Sequence, residues 1–522
     1  MRTVACVSIA VACWLMLAPS IQGDQVGGGQ PMIDDLLKDL ESPRVAERKA
    51  AAVKLGDIGN KDATEPLLRL LGDTDNQVQL AAVEALGRLR DPRAVQPLCG
   101  LVDHRIRHKI TSDGGALLRA AELSLGRIGD PAALDCLIRA TQLPSGREAM
   151  NTEGHAVVAL ASTARTAAVI AMGWIRSPKA VPTLLEILKT QPRGEAQQYT
   201  LLALRRIGDE RAVPPLLRIV QDTSRNPNEW HGDLVQVVVT LARVSKNREA
   251  IAPSLISLYE ACGEGHGFTK VLADVAGKNA GPLLMKQLEK RKDGECIEAL
   301  GNIRYSKAVP LLIQIARENA SAKPQMAYRI AAIRALGALG DPQGETTLRG
   351  ILRDEVGQVK LEAAASLAQL NETSGTQLIM ECIRDVKRAE PYQIRALGCI
   401  KESDKILGEV YLKGQGFPRL MAAEILISRG VGIDRDVLIS VASSKDPGMK
   451  EEKSEAVRLL GLLREPRALP IIEEVLRTEP LIEQLKDTVV DYWPRENHYP
   501  GPRSNSLIDT AYEAKRLIEA KN

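Results

Sequence analysis

Apolar residues along this chain recur three and four apart, in short blocks separated by polar breaks, which is the spacing of amphipathic helices. The first block opens at Met32, with Ile33, Leu36, Leu37 and Leu40 on one face. From there to near residue 475 the blocks come in pairs. Ala81-Ala82-Val83-Glu84-Ala85-Leu86-Gly87-Arg88-Leu89-Arg90-Asp91-Pro92-Arg93-Ala94-Val95-Gln96-Pro97-Leu98 shows the unit. It predicts a helix ending at a Leu-Gly step, a sharp corner at Asp-Pro, and a second helix starting at once. Such a unit cannot bury its apolar stripe alone, so copies must stack.

The anchor steps of the first helices are Leu55-Gly56, Leu86-Gly87, Leu125-Gly126, Met172-Gly173, Leu204-Arg205, Leu241-Ala242 and Leu272-Ala273. They continue as Leu300-Gly301, Leu336-Gly337, Leu367-Ala368, Leu397-Gly398, Leu426-Ile427 and Leu460-Gly461. Leu55 to Leu86 is 31 residues, Met172 to Leu204 is 32, and Leu367 to Leu397 is 30. A period of roughly thirty residues marks a helical solenoid. Leu125 to Met172 is 47 residues and marks an insertion. The copies around Leu241, Leu272 and Leu426 are degenerate, so their register is the least constrained.

Each corner residue has a physical task. Gly in a helix interior costs ~1 kcal/mol relative to Ala. Its recurrence at Gly56, Gly87, Gly126, Gly173, Gly301, Gly337 and Gly461 therefore predicts a close crossing, by the second helix of the hairpin. Asp91, Asp130 and Asp341 stand where a side-chain oxygen caps the second helix, an interaction worth ~1 kcal/mol. Pro92, Pro131, Pro178, Pro342 and Pro466 follow at the first helical position, where no donor is lost.

Leu-Gly-x-Ile/Leu-Gly/Arg-Asp-Pro-x-Ala-Val/Leu-x-Pro-Leu resembles the HEAT-like repeat named after phycobilisome lyases. Leu125-Gly126-Arg127-Ile128-Gly129-Asp130-Pro131 and Leu336-Gly337-Ala338-Leu339-Gly340-Asp341-Pro342 carry the likeness, which covers most of residues 32–480. It implies an all-α fold, a right-handed α-solenoid of about a dozen HEAT-like hairpins. With neighbouring helices ~9 Å apart, the stack would run for roughly 100 Å before curvature. Repeats of this kind serve many tasks, so the resemblance speaks to fold more than to function. The lyases among them imply one alternative, an enzyme or maturation factor acting on a protein-bound group. Di-iron HEAT enzymes such as deoxyhypusine hydroxylase carry repeated His-Glu pairs as ligands. Here none of His104, His108, His155, His231, His266 and His498 is followed by Glu.

Six longer connectors interrupt the period, at 103–115, 141–162, 190–198, 221–233, 317–325 and 385–391. All fall between the second helix of one repeat and the first helix of the next, and none falls at the Asp-Pro corner. Equivalent connections stack along one edge of a solenoid, so they predict a continuous ridge. Loops that vary on a repeating scaffold are where binding specificity sits.

Composition sharpens this picture. Of 522 residues, 44% are hydrophobic but only 3% are aromatic. Large globular cores use more aromatic area, whereas Ala, Leu, Ile and Val at helical spacing suit stacked helices. Net charge is +3, from 69 basic and 66 acidic residues. That balance argues against a nucleic-acid protein with a broad basic face. At the N-terminus, Arg2, an apolar run from Thr3 to Leu17, and Ala18-Pro19-Ser20 describe a secretory signal peptide. The run is too short to span a bilayer, which takes about 20 apolar residues. Ala10-Val11-Ala12-Cys13 offers lipoprotein attachment as an alternative, although the apolar run continues past the cysteine. Six cysteines lie beyond the signal, at 99, 136, 262, 296, 382 and 399, scattered and without a CxxC pair. Their spacing predicts neither a zinc site nor a disulfide.

No catalytic constellation and no cofactor motif stands out. His104 and His108 are four apart, a spacing that suits a metal on a helix. The intervening Arg105 and Arg107 repel a cation, however, and no metal site is expected. Arg105, Arg107, His108 and Lys109 instead make a basic loop suited to an acidic partner or a phosphate. Trp230 with Asn226, Pro227, Asn228 and His231 makes a wet loop, where the Trp either anchors a partner or folds back over the adjacent helix. Tyr492, Trp493 and Tyr499 concentrate aromatics after the last repeat, either to cap its apolar face or to contact a partner.

The boundaries expected are a signal peptide at 1–23, a Gly-rich tether at 24–31, the solenoid at 32–485, and an aromatic/Pro cap with a closing helix at 486–522. The function expected is a non-catalytic, exported scaffold that binds another protein through its concave face and connector ridge. The alternatives are the lyase-like enzyme and a binder of an anionic polymer through the basic loop. No nucleic-acid partner and no transmembrane span are expected.

Overall fold

The computed structural model describes residues 29–107, 112–142, 155–190, 194–225, 234–262, 267–318, 323–370, 373–382, 389–478 and 507–519. Among the described residues every regular element is helical. A lead helix, α1 (Gly29–Asp39), precedes thirteen hairpins. The first four pair α2 (Val45–Ile58) with α3 (Thr64–Arg69), α4 (Asn76–Leu89) with α5 (Val95–Arg107), α6 (Ser112–Ile128) with α7 (Leu134–Thr141), and α8 (His155–Ile175) with α9 (Val181–Thr190). The next three pair α10 (Gly194–Ile207) with α11 (Val213–Arg225), α12 (Leu234–Val244) with α13 (Arg248–Cys262), and α14 (Thr269–Ala276) with α15 (Gly281–Lys290). Then come α16 (Gly294–Asn302) with α17 (Val309–Arg317), α18 (Lys323–Leu339) with α19 (Pro342–Asp354), and α20 (Gly357–Gln369) with α21 (Thr373–Cys382). The last three pair α22 (Pro391–Gly398) with α23 (Asp404–Lys413), α24 (Gly416–Ser428) with α25 (Arg435–Ala442), and α26 (Lys450–Leu462) with α27 (Leu469–Thr478). A closing helix, α28 (Leu507–Glu519), ends the array. First helices of the hairpins thus carry even numbers and second helices odd ones.

The thirteen anchors fall on the thirteen first helices, and none is more than 2% exposed. Leu241, Leu272 and Leu426, the degenerate copies, are among them, so the repeat register holds throughout. Burying such a side chain contributes roughly 2 kcal/mol, and each anchor does so only because a neighbouring hairpin covers it.

First helices pack on the first helices of the neighbouring repeats in one continuous layer. Here the glycines correct the expectation drawn from sequence. They make room for the first helix of the following repeat, not for the second helix of their own hairpin. A Cβ on Gly56 would lie 2.8 Å from Ala85 Cα, on Gly126 2.6 Å from Ala171 Cα, and on Gly301 2.7 Å from Ala335 Cα. A Cβ on Gly87 would meet Ser124 Oγ at 2.5 Å, and one on Gly337 would meet Ser366 Cβ at 2.6 Å. The facing residue is always the one before the next anchor, so small-Leu-Gly is the full ladder motif. Its two serines hydrogen-bond back across the interface, Ser124 Oγ donating to Val83 O (2.9 Å) and Ser366 Oγ to Ile333 O (3.1 Å).

The corners form as the sequence predicts, with one addition. Asp91, Asp130 and Asp341 accept from the backbone N–H two residues on, each at 2.9 Å. Asn60 and Asp209 do the same at 2.9 and 2.8 Å. In most hairpins the capped turn is a single 3-10 turn, such as Pro92–Ala94 or Pro131–Ala133, that leads into the α-helix.

Helix α28 occupies the place a fourteenth first helix would take. It packs on α26 and α27, and Ala514 Cα would lie 2.6 Å from a Cβ on Gly461. Ser454 and Thr510 share a buried hydrogen bond (3.1 Å) across that interface. The closing helix therefore caps the array; Tyr492, Trp493 and Tyr499 lie outside the described residues.

Two further expectations change. Helix α1 starts at Gly29, inside the stretch read as a tether. The connector at 103–115 is mostly helical, since α5 runs to Arg107 and α6 begins at Ser112. Polar residues such as Asp103 continue α5 because Arg139 on α7 holds that carboxylate in a fork (2.8 and 2.9 Å). The array curves, with α27 returning to within 8 Å (Cα–Cα) of α4. Curvature accumulates from small rotations per repeat, which an apolar pattern does not encode.

Candidate partner-binding surfaces

Connector edge. All six long connectors join a second helix to the next first helix, at α5–α6, α7–α8, α9–α10, α11–α12, α17–α18 and α21–α22. Arg105 sits on the last turn of α5, half-buried, with Nη2 donating to Gln79 Oε1 (3.3 Å). Arg107 ends α5, and its side chain lies outside the described residues, as do His108, Lys109, Trp230, His231, Tyr492 and Trp493. The structure therefore places one of the eight candidate side chains, and it faces a neighbouring repeat. His104 is exposed on the same helix. Among the described residues, no group of three or more His, Cys, Asp or Glu side chains is arranged to hold a metal.

Beside this edge lies a bond the cysteine spacing did not suggest. Cys99 on α5 and Cys136 on α7 form a disulfide (Cα–Cα 5.7 Å) between consecutive second helices. The pairing is legible only once the hairpins are stacked, because 37 residues separate the two cysteines. Among the described residues, Cys262, Cys296 and Cys399 are outside any disulfide. Burial raises all three thiols above their ordinary range, so they are poor nucleophiles.

Second-helix face. Five consecutive second helices, α9 to α17, expose a proline near their start: Pro182, Pro214, Pro253, Pro282 and Pro310. A polar groove between α11 and α13 is lined by Gln221, Ser224, Ser254 and Ser257, with Gln221 Nε2 donating to Ser254 Oγ (3.3 Å).

First-helix face. Ion pairs knit successive first helices. Glu362 on α20 is 3% exposed at its side chain and accepts from Arg334 on α18 (2.6 Å) and from Arg395 on α22. Arg458 on α26 pairs with Glu424 on α24 (2.6 Å) and with Glu455 of its own helix (2.5 Å).

One buried acid stands apart. Glu122 on α6 is fully buried, and among the described residues neither carboxylate oxygen has a hydrogen-bond partner. Burial pushes its carboxyl well above the ordinary range, against a smaller opposing pull from Arg119. It stands three residues before its anchor, where other first helices carry Ala52, Val83, Val169, Leu201, Val238, Ile297 and Ile333, all buried. Aligning the repeats would have exposed this exception.

Corner edge. The first-to-second-helix corners touch one another in sequence. Arg93 reaches back to Lys61 O (2.9 Å) and Arg211 to Pro178 O (2.6 Å). Asp91 is held down to about 2 by Arg93, and Glu465 to about 2 by Arg467 and Arg435. Four corners hold an arginine in the left-handed region, Arg90, Arg176, Arg304 and Arg464, where others use Gly59, Gly129, Gly208 or Gly340.

A stacked array of helical hairpins with a continuous first-helix layer defines an α-solenoid scaffold. Comparison with known proteins agrees: the model for HEAT repeats matches residues 33–113, 159–228 and 319–397. Those three segments carry HEAT repeats. The chain is 34% identical over 91 residues to the bilin biosynthesis protein PecE of Nostoc sp., covering 17% of this chain and 34% of that protein. The PecE of Mastigocladus laminosus is 32% identical over 108 residues, covering 21% and 39%. The chain thus spans little more than a third of the length of these curated relatives. Among solved structures, the Kap95:Nup1 complex is 12% identical with a TM-score of 0.41, covering 95% of this chain and 74% of that one. No described helix is long and apolar enough to cross a membrane.

Proposed function

We propose that this chain is an exported HEAT-repeat scaffold that holds a protein partner and carries out no catalysis of its own. The observation that supports this most is the unbroken run of second helices, α3 to α27, whose outer faces and connectors offer a long surface on a scaffold already stable by stacking. Partner contacts would lie on the concave face and along the connector edge, with Arg105, Arg107, His108, Lys109, Trp230 and His231 at two of the connectors. Export is supported by two independent features. One is the apolar segment after Arg2, and the other is the Cys99–Cys136 bridge, since structural disulfides persist in oxidising compartments.

The second reading, a maturation factor acting on a protein-bound group, is favoured by the local likeness to bilin biosynthesis proteins. One experiment separates the two. The tagged chain is expressed in its native host, its compartment is established by fractionation, and it is affinity-purified with mass spectrometry and an absorption spectrum. The scaffold reading expects an envelope fraction, one stoichiometric polypeptide partner and no visible absorbance. A bound chromophore, or recovery from the cytoplasm alone, would count against it.

A further inference from the structure

Five consecutive corners, those joining α8–α9, α10–α11, α12–α13, α14–α15 and α16–α17, form one contiguous ridge. Arg211 Nη2 donates to Pro178 O (2.6 Å), Lys246 N donates to Glu210 Oε1 (3.2 Å), and Arg248 pairs with Asp274 (2.8 Å). Tyr305 of the fifth corner packs on Gly281, just after the fourth, where a Cβ would lie 2.3 Å from its ring. Residues 176–180, 206–211, 243–249, 274–279 and 303–308 hold ten Lys and Arg against four Asp and Glu. A chain of net charge +3 thus concentrates an excess of six positive charges on this one strip.

Three ridge cations are used internally, Arg211 with Asp209, Lys246 with Glu210 and Arg248 with Asp274. Lys179, Arg243, Lys278, Arg304 and Lys307 are exposed and make no such pair among the described residues. The strip has ends. The corner before it carries Asp130 and the corner after it Asp341, and neither carries a cation between its two helices.

We propose that this ridge is a docking strip for an extended acidic polypeptide. Repeats spaced ~9 Å apart place one unpaired cation, or two, at most steps. An extended chain advances ~3.3 Å per residue, so a carboxylate at every third residue would meet successive corners over roughly 36 Å. Strips that hold single-stranded nucleic acid interleave aromatic platforms for the bases. Here the one aromatic side chain is Tyr305, and it is used against Gly281. The strip lies on the edge opposite the connectors and names a chemical class for a partner, so it rests on the scaffold reading but not on which partner is captured.

The test uses the full mature chain and a fluorescent peptide, (Glu-Ala-Ser)5, by anisotropy at low and moderate salt. Its control peptide has the same composition with the five glutamates contiguous. The triple variant Lys179→Glu/Lys278→Glu/Lys307→Glu is compared with Lys54→Glu/Lys189→Glu/Lys286→Glu, which makes the same charge change away from the ridge. All six lysines are exposed, and unchanged melting confirms that both variants fold. The expected result is tighter binding of the spaced peptide, at least tenfold weaker on the ridge variant and less than threefold weaker on the control. Equal weakening in both variants would overturn the proposal. So would tighter, ridge-dependent binding of heparin, oligothymidylate or phosphatidylglycerol vesicles. Capture of a native partner by wild type and ridge variant alike would refute the ridge and leave the scaffold standing. Capture of none by wild type would refute the scaffold instead.

Discussion

The glycine ladder makes a prediction whose sign, not only its size, is set by the structure. Gly126→Ala and Gly350→Ala are the same chemical change inside helices α6 and α19. At Gly350 an added methyl meets nothing within 4 Å, so the variant gains the helix propensity of alanine, about 0.5–1 kcal/mol. At Gly126 the methyl would lie 2.6 Å from Ala171 Cα and 2.8 Å from Trp174 Cε3. The first obstacle is backbone and cannot rotate away, so α8 must move outward by several tenths of an ångström. Overpacking of this kind costs roughly 1–3 kcal/mol, of which about 1 is returned by propensity. The net is a loss of up to ~2 kcal/mol, against the gain expected for Gly350→Ala. A long repeat array is not a two-state system, so the assay is hydrogen exchange by mass spectrometry with local opening energies. Gly126→Ala should speed exchange in α6 and α8 while leaving α18 to α20 unchanged. If Gly126→Ala protects α6 and α8 as well as or better than wild type, the close approach is not what the glycine is for.

Other outcomes follow from the same contacts. Glu362→Gln leaves Arg334 and Arg395 facing each other around a neutral group, and should destabilise α18 to α22 by about 2–4 kcal/mol; no change in their exchange would contradict the pairing. Glu122 carries a raised carboxyl pKa in the folded chain, so its protonated form favours folding below the ordinary range near 4.5. That contribution is lost as pH rises through the folded value. Glu122→Val should therefore stabilise the protein near neutral pH and flatten the decline above pH 4.5, and parallel stability curves for the two proteins would refute it. The Cys99–Cys136 bridge closes a loop of 37 residues, worth roughly 3–4 kcal/mol by chain entropy. Cys99→Ser should loosen α5 and α7 by that order, and a thiol count showing both cysteines free in the protein purified from its native host would remove the bridge.

Much of this architecture is written in the chain. The Leu-Gly anchors, the Asp-Pro corners and their thirty-residue period place every first helix, because those residues answer to local helix geometry and to burial in the nearest neighbour. Which helix meets each glycine is not written in the sequence, for a physical reason. A close crossing can be inferred from Gly alone, but only the stacked structure says which helix crosses. Cys99–Cys136, the Glu362 triad and the closeness of α27 to α4 depend on rotation between repeats, and local pattern does not carry it. Glu122 and the corner cations were legible in principle: both appear when the repeats are aligned by anchor, one as an acid in an apolar column, the others as a run of Lys and Arg at equivalent corners. Net charge hid the second, since +3 overall averages over a strongly basic strip.

The central claim is that these hairpins gain stability by stacking and spend their outward surface on a protein partner. Hydrogen exchange on the purified chain, alone and with a polypeptide captured by it from the native host, tests it most directly. The account predicts slowed exchange in several consecutive repeats, along the second helices and connectors or the corner strip, with the buried anchors unchanged. Protection confined to residues 479–506, or absent from every hairpin at saturating partner, would contradict it.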